Sequence, residues 1–145
     1  MTLQKKLENV LATGDKAFVP YIMAGDGGIE TLKPTILKLQ QIGVSAIEVG
    51  IPFTDPVADG PTIEQAGERA LAHGITLRKV LAELKSFSQE IHIPLVVMTY
   101  LNPILAYGIE AFAKDAKLGG VQGLIVPDMP FEESALLHTA LKENS

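Results

Sequence analysis

The chain contains no cysteine and only three histidines, His73, His92 and His138. Without cysteine there can be no disulfide, no thiolate nucleophile and no Cys-ligated metal. The histidines are scattered, and none makes a spacing such as His-Glu-x-x-His, so no metal site is expected. Long apolar runs are also missing. No stretch approaches the ~18 residues of a membrane span. Met1 to Asn9 carries charges and lacks the apolar segment of a secretory signal. Positive charge is not in excess either: 12 Lys and Arg stand against 17 Asp and Glu, for a net charge of −5. That leaves no basic face for nucleic acid or for an anionic membrane. The expectation is a soluble, cytoplasmic protein with no nucleic-acid and no membrane partner. An anionic small molecule remains open, because a few N–H groups or one cation bind a phosphate.

What is present is ordinary globular material. The 145 residues are 47% hydrophobic and 20% charged, enough for one domain with a real core. No low-complexity linker divides it. Leu3, Leu7, Val10 and Leu11 recur at helical spacing ahead of the first strand. Four apolar runs then read as buried strands: 17–24, 46–51, 93–100 and 121–126. Helical patterns separate them at 31–41, 62–72, 77–87 and 109–118, and another begins at Glu132. Asn102-Pro103 reads as a break after strand three. The order is βαβαβαβα behind an N-terminal helix, which implies parallel strands under helical cover.

Two architectures fit that order. A small doubly wound sheet fills ~145 residues, whereas a (β/α)₈ barrel typically needs ~250. Strand two leans toward the barrel. Ile47, Val49 and Ile51 share one face, and Ala46, Glu48 and Gly50 share the other. A carboxylate inside an apolar strand is costly unless paired or protonated. A barrel strand, however, carries catalytic groups inward near its C-terminal end. Read structurally, Glu48 pairs with an Arg or with backbone donors; read functionally, it is a general acid/base with a raised pKa. Asp59 lies in the loop leaving the same strand, where an Asx-turn or helix cap is the plain alternative. Together, two carboxylates in different environments can flank one small ligand and divide its proton transfers. Tyr100 and Asp128 end strands three and four, at the same rim if the strands run parallel. Gly25-Asp26-Gly27-Gly28 lacks both dinucleotide and Walker spacing and carries little weight as a phosphate loop.

The run from Ile47 to Ile63, IEVGIPFTDPVADGPTI, closely resembles the signature of the tryptophan synthase alpha subunit family. Phe18 to Ile22, Met98 to Pro103, and Pro127 to Pro130 with Glu132-Glu133-Ser134 match as well, so the resemblance covers essentially the whole chain. It implies the (β/α)₈ TIM-barrel class of α/β fold, with residues 1–145 as the N-terminal half of a single barrel domain, about four βα units. It implies a lyase of tryptophan biosynthesis that cleaves indole-3-glycerol phosphate to indole and glyceraldehyde 3-phosphate. Glu48 would be the proton shuttle, and Asp59 would hold the indole N–H. Tyr21, Tyr100 and Ile125 map to the walls of the indole pocket. The family often has Phe where Tyr21 stands, so the added hydroxyl needs a partner or that wall is wetter. Pro52, Phe53, Asp55 and Asn102 map to the face that meets a beta subunit, in an expected alpha2-beta2 tetramer. No cofactor is implied; pyridoxal phosphate belongs to the beta subunit.

The chain ends at Ser145, and phosphate-binding loops of such barrels follow strands seven and eight. Little or no lyase activity is therefore expected of these residues alone. A non-catalytic half-barrel that folds or self-associates is the alternative. Other phosphate-sugar barrels fit less well, because they lack the Pro52 to Pro61 segment.

Overall fold

The computed structural model describes residues 2–144; Met1 and Ser145 lie outside them. Helix α1 (Leu3–Ala12) is capped by Thr2, whose side chain accepts from the Lys5 N–H. There follow β1 (Tyr21–Met23), a short 3₁₀ turn (Ile29–Thr31) running into α2 (Leu32–Gln41), and β2 (Ile47–Gly50). Next come α3 (Pro61–Ala72), α4 (Leu77–Ser86), β3 (Leu95–Met98), α5 (Leu101–Tyr107), α6 (Ile109–Leu118), β4 (Val121–Ile125) and α7 (Ala135–Glu143). Among the described residues no helix is long and apolar enough to cross a membrane.

The four strands pair in parallel in the order β1-β2-β3-β4. This decides between the two candidate architectures. A doubly wound sheet reverses its strand order at a switch point; here each strand lies beside its sequence neighbour. The covering helices follow suit, with α2 on α4, α4 on α6 and α6 on α7 along one side. The result is an arc of four βα units, consistent with about half of a TIM barrel.

The core fills the space between sheet and outer helices. Ile47, Val49, Leu95 and Val97 pack there against Leu32, Ile36, Val80, Leu84 and Phe112. The register sets Tyr21, Glu48, Val96 and Gly123 abreast on the opposite, concave face. Helix α1 covers the lower part of that face. A Cβ added to Gly123 would stand 3.1 Å from Leu3 Cδ2. A cavity of about 300 Å³ there is lined by Leu3, Leu7, Val96 and Glu48, among others.

Two expectations need correction. Strand one was expected over 17–24, but its ladder is confined to Tyr21–Met23. Pro20 has no N–H to donate, although its carbonyl accepts the Glu48 N–H at 2.9 Å. Phe18 and Val19 are largely exposed. Strand three does end before Asn102-Pro103, at Met98, but these residues lie in the first turn of a seven-residue helix, α5, that was not expected. Proline is tolerated in the first turn, where its missing N–H has no intrahelical partner to lose.

Candidate active site

The C-terminal ends of the strands and the loops that leave them gather the candidate residues. Glu48 projects from β2 onto the concave face, abreast of Tyr21 on β1 and Val96 on β3. It is half-buried. Burial alone pushes its carboxyl above the usual range. Its neighbours Val96 and Leu124 and the cover of Leu3 and Leu7 explain why: apolar walls disfavour the charged form.

Asp59 is reached through the loop between β2 and α3. The Asp59 N–H donates to the Pro56 carbonyl at 3.2 Å, closing a turn that ends at Gly60. Gly60 is the N-cap of α3, Pro61 its first residue, and no side chain caps it. The helix-cap reading of Asp59 therefore fails, and its half-buried carboxylate is not committed to that task. That carboxylate acts on the hydroxyls of both Tyr21 and Tyr100, raising the pKa of each after the larger effect of burial.

Tyr100 is 1% exposed. Its hydroxyl accepts the Ala58 N–H at 3.0 Å, and its ring stacks on Phe53 with centroids 5.3 Å apart. These two contacts pin the Asp59 loop to the end of β3 from both sides. Asp128, in the loop after β4, accepts the Leu101 N–H at 2.9 Å and so anchors the start of α5. The same rim holds Ile125, 41% exposed at the end of β4.

Tyr21 lies across the concave face, and its ring occupies the space that a side chain on Gly50 would need. Its hydroxyl is buried and has no hydrogen-bond partner among the described residues. Burial and the Asp59 and Glu48 carboxylates hold its pKa far above that of a free tyrosine, so at neutral pH it is an O–H donor.

The residues mapped to a partner face lie in the loop after β2 and at the start of α5, and one of them, Phe53, also stacks on Tyr100. Asp55 and Asn102 are exposed, Phe53 is half-buried and Pro52 is buried. Asp55 Oδ2 accepts from the Thr54 hydroxyl at 3.1 Å, a local turn contact. Val57, at the tip of this loop, is 80% exposed.

One structural pair was not visible in the chain's order. Arg69, on α3, donates to both carboxylate oxygens of Asp26 at 2.8 Å each, tying the loop after β1 to the helix that follows Asp59. The glycine-rich turn thus serves an ion pair rather than a phosphate. Forty-three residues separate the partners, and no local pattern links them.

The sequence model of the family described as tryptophan synthase alpha chain matches residues 7–145. The tryptophan synthase alpha chain of Bacillus cereus is 49% identical over 139 residues, 96% of this chain and 54% of the relative. Among solved structures, tryptophan synthase subunit alpha from Legionella pneumophila superposes with a TM-score of 0.92 at 38% identity, covering 99% of this chain and 56% of that one. A ligand-free tryptophan synthase from M. tuberculosis gives 0.90 at 37% identity, covering 98% and 57%. The chain spans about half the length of the curated relatives it matches.

Proposed function

The chain belongs to the tryptophan synthase alpha chain family, and from that premise we propose that it carries the two catalytic carboxylates for cleaving indole-3-glycerol phosphate. The observation that carries this reading is where the two carboxylates stand. Glu48 lies on the concave face beside Tyr21 of β1, and the loop that holds Asp59 is pinned at the end of β3 by the Ala58 N–H, which donates to the Tyr100 hydroxyl.

The reaction breaks the bond between indole C3 and the first glycerol carbon. A proton is added at C3, which places positive charge on the ring nitrogen. The C–C bonding electrons then return to the ring, and the hydroxyl on the departing carbon loses its proton to become the aldehyde of glyceraldehyde 3-phosphate. Asp59 is the carboxylate that holds the N–H and stabilises the charge that develops there. Glu48, with its raised pKa, gives the proton to C3 and takes the one leaving the hydroxyl, so it ends as it began. The protonated indole is its own electron sink, so the step calls for no cofactor. Tyr21, Tyr100 and Ile125 wall the indole.

We further propose that residues 1–145 form the first half of one barrel domain, acting in the cytoplasm. The exposed Asp55 and Asn102, with Phe53 and Pro52 behind them, would meet a beta subunit, in an alpha2-beta2 assembly whose beta chain holds the pyridoxal phosphate. The open edges of β1 and β4 favour a second reading of the chain taken alone: a half-barrel that folds or self-associates without turnover.

One assay separates the two readings. Indole formation from indole-3-glycerol phosphate is measured for the chain alone and after supplying the second half of the Bacillus cereus alpha chain. The proposal expects activity only in the complemented assembly. No activity in either case would refute the lyase assignment. Full activity of the chain alone would refute the need for the later strands.

A further inference from the structure

Helix α3 starts at Pro61, two residues after Asp59, so the seating of this helix decides where the Asp59 carboxylate stands. Packing alone seats it weakly. Its buried residues are Gly67 and Ala70, whereas α4 buries Leu77, Val80, Leu81 and Leu84. The element it packs against most is β1, a strand of three residues. A cavity of about 400 Å³ opens beside that contact, with Thr62, Ile63 and Ala66 of α3 and Tyr21 and Met23 of β1 in its wall. Two small side chains next to such a space interlock with little, so burial does not fix the angle of the helix.

The Asp26–Arg69 pair supplies what packing lacks. Its two bonds join Nε to Oδ1 and Nη2 to Oδ2, and a forked contact of this kind fixes orientation as well as distance. The Asp26 end is a firm post. Within its turn the Thr31 hydroxyl donates to the Gly28 carbonyl at 2.7 Å, and Gly25 lies so close to Ile75 that an added Cβ would overlap it. Both partners of the pair reach solvent, so it adds only modestly to overall stability. Arg69 stands eight residues beyond Pro61, about 12 Å along the helix. On the other side of Asp59, the Ala58 N–H is held by the Tyr100 hydroxyl. Asp59 and the uncapped start of α3 therefore lie between two tethers.

We propose that Asp26 and Arg69 are positioning residues for Asp59: by fixing α3 to the loop after β1, their ion pair holds the Asp59 carboxylate where the charge on the indole nitrogen develops. The effect on rate rests on the lyase reading above; the effect on the loop rests on the geometry of the chain alone.

Asp26→Asn tests both effects. In the chain itself, amide hydrogen exchange is followed residue by residue. The substitution should speed exchange at Ala58 and Asp59 by about tenfold more than at Val97 in β3, where exchange reports global unfolding. One common factor at all three, or no change, would overturn the proposal. In the complemented assembly, kcat for indole release should fall by about tenfold, well within what a small misplacement of a reacting group costs. Where Asp59 is already Asn, the same substitution should cost less than about twofold, because the pair acts through that carboxylate. An equal loss in both backgrounds would overturn the proposal, as would an unchanged kcat. An unsubstituted assembly that releases no indole would refute the lyase reading, and hydrogen exchange would still decide whether the pair holds the loop.

Discussion

Gly50→Ala should dislodge Tyr21 and leave most of the rest intact. Gly50 closes β2 and is buried, and a Cβ built there would overlap the Tyr21 hydroxyl and ring carbons. Its backbone does not adopt a left-handed conformation, so alanine carries no strain of its own. In a strand, alanine would instead gain about 0.5–1 kcal/mol over glycine from reduced chain entropy. Forcing an extra methyl into occupied space costs about 1–3 kcal/mol. The substitution should therefore destabilise the chain, but only while the tyrosine is present. In a Tyr21→Ala background the same change should be neutral or slightly stabilising, giving a coupling of about 1–3 kcal/mol, the overpacking cost alone. Urea denaturation of the four proteins in the double-mutant cycle measures it. Costs that add within about 0.5 kcal/mol would show that the ring does not lie over Gly50. The account of the Tyr21 hydroxyl would fall with that result.

Asp59→Asn should slow indole release by roughly 10²–10³-fold, the cost of losing one preorganised electrostatic group, and an unchanged rate in a steady-state assay would reduce Asp59 to a loop residue. Asp26→Asn should lower the urea midpoint near neutral pH and leave it unaltered in strong acid. Arg69 holds the Asp26 carboxyl below its usual range, so its contribution is complete above an unfolded pKa of about 3.9 and vanishes as pH falls through the folded value. A difference between variant and wild type that persists in strong acid would rule out the ion pair as its source.

The barrel-like arc could be read from one strand. Glu48 breaks the apolar alternation of 46–51, and the register puts it on the concave face as that break implied. Helix positions followed from apolar spacing because outer helices need only one buried stripe. Contacts between distant segments could not be read. Tyr21 and Gly50 lie 29 positions apart in sequence and meet only because β1 and β2 pair in one register. Asp26 and Arg69 meet because α3 packs beside β1. Helix α5 was not legible because proline signals a break locally, whereas its position in the turn decides whether it ends a helix or fits its first turn.

The central claim is that Glu48 moves the proton, and Glu48→Gln tests it most directly. Glutamine keeps the shape and removes the ionisable group. Burial has raised the Glu48 pKa, so the charged carboxylate costs folding stability as pH rises through its folded value. The variant should thus be at least as stable as the wild type near neutral pH. In the complemented assembly, the account predicts that indole release falls by about 10²–10⁴-fold with folding preserved. Near-normal release by a folded Glu48→Gln protein would contradict it.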